Sequence, residues 1–310
     1  MCGSGHPAAR AAGALRARAA VTRRFQILLS RTAFTQADVK TYTAHWNGVT
    51  QRLKASFASN RQLLIGSAAR GSAIRQSSDL DLMVVLRKAE AQWGGRLISS
   101  ETVLNRVADA LRARFWNTGL GRDGQAVVVD FGDGQYPVDV VPAIFDRVEN
   151  KIPIYLIPDG CGGWMETSPA VHNRFIALAD QASAGKLKNV AKLVKYWRWC
   201  RTPELPLSSF HVEMLLATER ICASVKSYAQ CLFELFHLLS KRECRTLRDP
   251  LKISGFIYAA NTEAKRERLN AAVRTSTVHA AKAVLAEQGG GGMDAVQQWD
   301  IVFNGRFPVA

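Results

Sequence analysis

The sequence has 310 residues and a formal net charge of +15, with 47% hydrophobic and 22% charged residues. This composition excludes a globally disordered chain and supplies enough apolar residues for one domain of two lobes or for two small domains. The charge favours a polyanionic partner, which could be nucleoside triphosphates, nucleic acid or an anionic surface.

The N-terminal region differs from the rest of the chain in charge. Its first 25 residues contain five arginines and no acidic residue, and its apolar stretches are short and rich in alanine. We therefore expect residues 1–34 to form a basic, disordered tail, with loose contact to nucleic acid as the alternative. No stretch of the sequence approaches the roughly 18 consecutive apolar residues that cross a bilayer, so no membrane partner is expected.

Cysteine usage favours the cytoplasm. The six cysteines are scattered along the chain, without a Cys-x-x-Cys pair or a cluster with histidine. This spacing argues against a structural zinc site and favours reduced thiols in a cytoplasmic protein.

Helical and strand-like segments alternate in the first half of the chain. Thr35 and Asp38 have the spacing of a capping box, and the helix that follows is predicted to end before Asn60. Short apolar segments at residues 63–65 and 80–86 predict strands, and the polar link between them is too long for a tight hairpin turn. The later elements are a helix over 100–115, a loop over 119–124 and strands in QAVVVDFG, YPVDVVPAI and IPIYLIP.

Helical periodicity dominates after Trp164. The predicted fold class is α+β, with a mixed α/β sheet lobe over residues 35–165 and a helical lobe over residues 166–310. A cleft between the lobes is the expected ligand site, and a monomer is the expected state. The predicted helices of the second lobe cover residues 169–184, 187–200, 209–223, 224–244 and 262–288.

Three acidic residues interrupt these apolar strands. Asp79 and Asp81 open the strand at 80–86, and because side chains alternate along a strand, both carboxylates are expected on one face. Asp139 stands alone in the later apolar segment PVDVVP. Each acid by itself could instead cap a strand end or pair with an arginine, and these alternatives stay open.

A glycine and a serine follow the first strand directly. At Gly66 the backbone could approach a ligand closely, and the amides and hydroxyl of Gly66-Ser67 could hold phosphate oxygens. A plain turn is the alternative for this pair. Arg70 and Arg75, which lie between the turn and the aspartates, could contact phosphates or serve a structural role.

The carboxylates and the turn together predict nucleotidyl transfer. Oxygen ligands suit Mg²⁺, and three carboxylates can hold two such ions, with Mn²⁺ as a substitute. One ion would lower the pKa of an attacking hydroxyl, and the other would neutralise the departing pyrophosphate. The expected substrates are therefore nucleoside triphosphates.

The same residues carry a resemblance to a known family. Gly66-Ser67, eleven further residues, Asp79-x-Asp81 and the later Asp139 resemble the signature of the DNA polymerase β-like nucleotidyltransferase superfamily. Within it the chain resembles the CD-NTases, the bacterial relatives of cyclic GMP-AMP synthase and oligoadenylate synthase. The matching segments occur in family order over residues 36–308 and are GSAARGSAIRQSSDLDLMVVL, VDVVPA, LVKYWRWC, LSSFHVEML and WDIVFNGRFP.

The resemblance implies roles for five residues of the first lobe. Asp79, Asp81 and Asp139 would bind the metal ions, and Asp139 would also help to deprotonate the acceptor hydroxyl. Gly66 and Ser67 would bind the triphosphate. The zinc-binding Cys/His insertion of the animal DNA sensor is absent from this sequence, which argues against activation by double-stranded DNA on that model.

Three residues of the helical lobe also match family positions. Lys195 would reach the triphosphate of the donor, Ser209 would contact the phosphates and Phe210 would stack on a base. The residues alone favour simpler roles, because Lys195 continues a helical lysine stripe with Lys188 and Lys192 that would face solvent. Ser209 would be a helix N-cap and Phe210 a core aromatic, so these three functional roles rest on the resemblance.

The implied activity is synthesis of a cyclic di- or trinucleotide from ATP, GTP or both, in anti-phage (CBASS) defence, where the product activates a separate effector protein. Transfer of a nucleotide to RNA, a small molecule or a protein is the alternative, and the charge permits RNA or DNA binding without requiring it. An inactive binding module is disfavoured because all three acids are present. The tail GRFPVA, which ends at Ala310, could be conjugated to a partner or could be a plain disordered end.

Overall fold

The computed structural model describes residues 7–57, 61–77, 79–132, 136–223 and 225–309. The helices are α1 (Pro7–Arg31), α2 (Gln36–Ser56), α3 (Gly66–Arg70), α4 (Ser100–Arg112), α5 (Pro169–Ala182), α6 (Lys186–Trp199), α7 (Ser209–Thr218), α8 (Tyr228–Lys241), α9 (Glu263–Gln288) and α10 (Gly292–Val302). The strands are β1 (Arg61–Leu64), β2 (Leu80–Leu86), β3 (Gln92–Trp93), β4 (Arg96–Leu97), β5 (Gly119–Asp123), β6 (Ala126–Asp130), β7 (Val138–Glu149), β8 (Ile152–Pro158), β9 (Trp164–Thr167), β10 (Leu247–Arg248) and β11 (Phe256–Ile257). No helix in these ranges is long and apolar enough to cross a membrane.

The elements form two compact units. The sheet unit comprises Phe34–Phe175 and the loop Asp249–Gly255, and it contains a seven-stranded sheet with α2, α3 and α4. The helical unit comprises the residues up to Ala33, together with Ile176–Arg248 and Phe256–Ala310. The mixed α and β architecture of the predicted fold class is confirmed.

The predicted lobe boundary at residue 165 stays a prediction. In this structure the sheet unit continues to Phe175, and it also includes the distant loop Asp249–Gly255. The Asp249 carboxylate accepts hydrogen bonds from three backbone N–H groups of its own loop at 2.8 to 3.0 Å. It also lies 3.0 Å from Nε2 of His172, which is 3% exposed. Residues so far apart in the chain share no local sequence pattern, so the sequence alone could not place this loop.

The N-terminal segment corrects the prediction of a disordered tail. Residues 7–31 form α1, a helix rich in alanine, which is the residue with the highest helix propensity. Val21, Phe25 and Leu28 are buried along one side of it. Phe25 packs edge to face against Trp299 and Phe307 near the C-terminus, with ring centroids 5.1 and 4.9 Å apart. In the sequence this apolar stripe is hard to recognise because arginines lie between its residues. Residues 1–6 lie outside the described part of the chain.

The sheet has the order β1-β2-β7-β6-β5, with β8 paired to β7 and β9 paired to β8. β2 and β7 run parallel at its centre, and the other neighbours are antiparallel. The segment 119–124, predicted to be a loop, forms strand β5 instead. It pairs with β6 across a tight turn in which Gly124 has a φ of +50°. The strand is polar and contains two glycines, so a search for apolar segments did not predict it.

The two faces of β2 pack differently. Leu80, Leu82 and Val84 are buried on one face, in a cluster that includes side chains of α2 and α4. Met83 and Val85 point to the opposite face, where they pack with residues of β7 and β8. Because side chains alternate, Asp81 belongs to this second face.

The helices predicted after residue 165 match α5 to α9 to within two residues except at three ends. One of these is the end of α8, at Lys241 rather than at residue 244. α7 ends at Thr218 rather than at residue 223, and α8 begins at Tyr228 rather than at residue 224. A capping box formed by Ser227 and Gln230 sets the start of α8. The five cysteines in the described ranges are free thiols, and Cys161 is the exposed one among them.

Candidate active site

Strand register brings the predicted carboxylates together. Asp81 of β2 stands directly beside Asp139 of β7 in the parallel ladder, so the two side chains point to the same face of the sheet. Asp79 immediately precedes β2 and is exposed, whereas Asp81 and Asp139 are half-buried. The register therefore accounts for the pairing of Asp81 with Asp139, whereas the predicted common face of Asp79 and Asp81 stays a prediction because Asp79 precedes the strand.

The electrostatics of this cluster are unfavourable without a cation. Burial, together with the negative charges of Asp79, Asp81 and Asp123, raises the pKa of Asp139 to about 8. Among the described residues, none donates a hydrogen bond that compensates the Asp139 carboxylate. Several acids that lie close together, with a raised pKa at one of them, are typical of a functional site.

Sequence reasoning missed Asp123, the fourth acid near Asp139. It is exposed at the end of β5, beside Gly124 at the turn of the β5–β6 hairpin. The dipeptide Asp123-Gly124 is a strong hairpin signal and could have revealed the turn. It could not have revealed that this turn brings a further negative charge near β7.

Gly66 lies directly against the catalytic candidates. Its φ is +65°, and a Cβ atom at this position would lie only 1.8 Å from Oδ2 of Asp81. Glycine is therefore required here both by the backbone conformation and by the close approach of Asp81. The neighbouring Ser67 is 7% exposed, and its carbonyl oxygen accepts a hydrogen bond from the Ser72 backbone N–H at 3.0 Å. The turn and the carboxylates thus meet, as their order in the sequence predicted.

A buried acid on α2 holds the segments that lead into both strands. Asp38, which is 7% exposed, accepts hydrogen bonds from the backbone and the hydroxyl of Thr35 and from the Tyr136 hydroxyl, each at 2.7 Å. Arg75 pairs with the same carboxylate at 3.3 Å. Donation from the Thr35 backbone is the largest contribution that lowers the pKa of Asp38. Arg75 therefore has a structural partner in this structure.

The position of Asp38 matters because its partners flank the catalytic candidates. Arg75 lies four residues before Asp79, and Tyr136 lies three residues before Asp139. A second residue of α2 is affected by the catalytic candidates: burial, and then the charge of Asp81, raises the pKa of Tyr42 to about 12. The sequence identified Asp38 only as half of a capping box, because a local motif does not reveal its long-range partners.

The candidates in the helical unit form a different environment. Lys195 and Ser209 line one small pocket, together with Arg198 and Glu213. Lys195 is only 4% exposed, which corrects the expectation of a solvated lysine stripe. Arg198 donates a hydrogen bond to the Ser209 hydroxyl at 3.4 Å.

The start of α7 also differs from the expectation. Ser208, and not Ser209, is the N-cap, and its hydroxyl accepts a hydrogen bond from the His211 backbone N–H. Ser209 is the first residue of the helix, and Phe210 beside it is half-buried. Because Ser208 is the cap, the Ser209 hydroxyl does not cap the helix.

The donor set at the sheet suits a hard divalent cation. Asp79, Asp81 and Asp139 offer carboxylate oxygens, which are the ligands that Mg²⁺ prefers. Within the described ranges no group of three or more His, Cys, Asp or Glu side chains is already arranged around a metal position. In nucleotide enzymes Mg²⁺ takes one or two carboxylates and completes its shell with phosphates and water. The residues present fit the ion, and the crowding around Asp139 would be relieved by it.

The mixed sheet, with its adjoining carboxylates and the Gly66 turn, has the fold of the polymerase β-like nucleotidyltransferases. A family model described as "Second Messenger Oligonucleotide or Dinucleotide Synthetase domain" matches residues 20–178, which include all three aspartates and the Gly66 turn. The chain therefore belongs to this family, and the resemblance to CD-NTases seen in the sequence is confirmed.

Two curated relatives are similar to this chain. Cyclic AMP-AMP-AMP synthase of Escherichia coli (strain MS 115-1) is 29% identical over 167 residues, which are 52% of this chain and 50% of that protein. The match thus spans about half the length of that relative. A probable cyclic nucleotide synthase of Bacillus cereus (strain VD146) is 23% identical over 288 residues, covering 84% of this chain and 86% of that protein.

A solved structure shows the same fold. E. coli MS115-1 CdnC with ATP superposes with a TM-score of 0.68 at 20% identity, covering 93% of this chain and 98% of that chain. CdnC has also been solved in a complex with HORMA-deltaN, with the same TM-score.

Proposed function

We propose that this protein is a cyclic oligonucleotide synthase, which joins nucleoside triphosphates into a cyclic di- or trinucleotide and releases pyrophosphate at each step. The observation that carries the proposal is the register of β2 and β7, which sets Asp81 beside Asp139 with Gly66 packed against Asp81. Family membership and the similar relatives support the same reaction class.

The residues of the sheet would divide the work as follows. Asp79, Asp81 and Asp139 would hold two Mg²⁺ ions, or Mn²⁺ in their place. When bound, these ions supply charge neutralisation at the phosphates and a lowered pKa for the attacking hydroxyl. The backbone N–H groups at Gly66 and Ser67 would hold the triphosphate, and the absent side chain at Gly66 lets Asp81 lie directly against this turn. Crowding and burial raise the pKa of Asp139 to about 8 in the metal-free protein, so a bound cation would be needed to keep its carboxylate ionised near neutral pH, where it would help to deprotonate the acceptor hydroxyl.

The helical unit would supply the remaining nucleotide contacts. We assign Lys195 and Ser209 to the phosphates and Phe210 to a base on the resemblance to the family. Lys195 and Ser209 line one narrow pocket, which would have to open to admit a phosphate. Replacing Lys195 with Met should raise the KM for the nucleoside triphosphate at least tenfold, while Lys195→Arg should retain most of the affinity. If both variants lose thermal stability and keep the wild-type KM, Lys195 serves only the packing of α6.

Substrates and partners follow from the relatives by analogy. ATP and GTP are the first candidates, since the similar curated enzyme is named for a product of AMP units and CdnC was solved with ATP. We propose a cytoplasmic role in anti-phage defence in which the product activates an effector protein. Conjugation of the C-terminus stays a prediction, because Ala310 lies outside the described residues, whereas Phe307 is buried at 3% exposure.

The test is product analysis. The purified full chain is incubated with all four nucleoside triphosphates and Mg²⁺, and the mixture is treated with phosphatase and examined by mass spectrometry. A phosphatase-resistant product with one phosphate per nucleoside and no free terminal phosphate is expected, and an Asp79→Asn, Asp81→Asn variant should make none. Linear products that extend a supplied RNA, with steep loss of activity in salt, would support the alternative acceptor instead.

A further inference from the structure

A second pocket lies farther along the sheet face that carries the carboxylates. Val85 is four residues beyond Asp81 on β2, on the same face and about 13 Å along the strand. The pocket has a volume of about 460 Å³, which is within the usual range for small-molecule sites. Its lining residues are Arg61, Val85, Leu86, Arg87, Lys88, Phe145 and Tyr155. None of them belongs to the proposed catalytic set.

Strand register builds an apolar floor for this pocket. Val85 pairs with Arg61 of β1, and Phe145 of β7 pairs with Tyr155 of β8. Val85 and Tyr155 are buried, whereas Phe145 keeps 41% of its surface exposed. The Phe145 and Tyr155 rings meet edge to face with centroids 5.9 Å apart, which fixes the orientation of the exposed ring. An exposed, held aromatic ring is a surface on which a planar base can stack.

Three cations surround this floor. Arg61, Arg87 and Lys88 are exposed, and no residue in the described ranges forms an ion pair or a hydrogen bond with their side chains. Acids of the adjoining strands do not neutralise them, because Arg147 already pairs with three acids of β7 and β9 at 2.6 to 2.9 Å. The rim therefore keeps its positive charge for an anionic ligand.

We propose that this pocket binds a nucleotide, with its base on Phe145 and its phosphate among Arg61, Arg87 and Lys88. Guanidinium groups match phosphate oxygens through paired N–H donors, and lysine adds a point charge. A simple anion would use only the rim of the pocket, and a neutral aromatic molecule would use only its floor. A nucleotide uses both, and it requires no metal ion here. The site goes beyond the proposed reaction and does not depend on it.

The experiment is calorimetric titration of adenosine monophosphate into the full chain, with EDTA present so that the carboxylate site holds no Mg²⁺. Wild type should bind the nucleotide, and an Arg61→Ala, Lys88→Ala variant should bind it at least tenfold more weakly. Phe145→Ala should weaken binding to a similar extent, while Phe145→Trp should retain it. Removing two exposed cations of α2, in a Lys40→Ala, Lys54→Ala variant, is the matched control and should change nothing.

Three results would overturn the proposal. The first is an absence of binding to wild type at millimolar nucleotide. The second is equal affinity for inorganic phosphate and adenosine monophosphate, because the base would then not be recognised. The third is loss of binding in an Asp79→Asn, Asp81→Asn variant with no effect of the pocket variants, which would locate the nucleotide at the carboxylates. Thermal unfolding of each variant confirms that it is folded.

Discussion

Two acids of the sheet unit, the buried Asp38 and the half-buried Asp139, face opposite electrostatic conditions. Asp38, at the start of α2, is surrounded by donors, and its pKa is lowered. Asp139, on β7, is surrounded by other carboxylates, and its pKa is raised to about 8. The first acid contributes stability through its hydrogen bonds, whereas the second weakens the metal-free protein when it is ionised.

This difference separates a structural acid from a functional one. A carboxylate with four donors needs nothing further, so a bound cation would gain little there. A crowded carboxylate is stabilised by a cation, and the cost of keeping it in the metal-free protein indicates selection for a ligand. Substitutions at the two places should therefore have opposite effects on stability and different effects on activity.

The largest expected effect is at the crowded site. Asp81→Asn removes one of the paired carboxylates of β2 and β7, and we expect a loss of several kcal/mol of transition-state stabilisation, or about 1,000-fold in rate. The stability of the metal-free protein should stay equal or rise, because repulsion with Asp139 is reduced. Product formation and thermal unfolding in EDTA measure the two effects.

Asp109→Asn is the matched control for that substitution. Asp109 pairs with Arg112 on the exposed surface of α4, and its side chain is 72% exposed, so its loss should change neither activity nor stability appreciably. A metal-free Asp81→Asn protein that unfolds at a clearly lower temperature than wild type would contradict the account of Asp81 as an electrostatically strained residue.

The next effect is expected at Gly66. A methyl group there would lie 1.8 Å from Oδ2 of Asp81, so Gly66→Ala must displace the carboxylate or the backbone. We expect about a 100-fold loss of activity, since a misplacement of about 1 Å can have this effect. Gly71→Ala is the control, because Gly71 also has a positive φ, of +72°, but nothing lies within 4 Å of its added Cβ. Equal losses in both variants would mean that backbone strain, and not the contact with Asp81, is the cause.

The sequence predicted what depends on short-range rules and missed what depends on distant contacts. The face of Asp81 followed from alternation along a strand, and the turn at Gly66 followed from its place after β1. The burial of Lys195 and the partners of Asp38 arise from residues distant in the chain, so no local pattern contains them. Helix α1 was missed for a different reason, because its buried stripe lies among arginines that suggested a solvated tail.

A smaller effect is expected at Asp38. Asp38→Asn removes the charge that accepts from Thr35, Tyr136 and Arg75, and we expect a loss of about 2 to 3 kcal/mol in the free energy of unfolding. Because the pKa of Asp38 is lowered in the folded state, its contribution is present above pH 4 and is lost as the pH falls further. Urea unfolding at pH 7 and at pH 3 measures this difference.

Enzymatic activity is a second measurement on the Asp38→Asn variant. Since Arg75 and Tyr136 lead into the strands of Asp79 and Asp139, activity should fall about tenfold even under conditions where the variant is fully folded. Tyr136→Phe, which removes one donor, should cost only about 1 kcal/mol and retain more activity. Full activity in a folded but destabilised Asp38→Asn protein would show that the network has no influence on the carboxylates.

The smallest effect tests whether a raised pKa alone marks a functional acid. Glu287 of α9 is 6% exposed, and burial raises its pKa to about 7, although the Trp299 indole N–H donates to it at 3.3 Å. Between about pH 4.5 and 7 the folded protein binds more protons than the unfolded chain, so stability falls as the pH rises through this window. Glu287→Gln should therefore raise the unfolding temperature above pH 7 by about 2 to 4 °C and leave activity unchanged.

Glu267→Gln, at an exposed position of the same helix, should have no such effect. Glu287 is a single buried acid with one donor, whereas Asp139 lies among three further carboxylates, and only the crowded arrangement is suited to bind a cation. If Glu287→Gln abolished product formation while raising stability, burial alone would be enough to identify a functional acid in this protein, and the crowding at β2 and β7 would lose its diagnostic value.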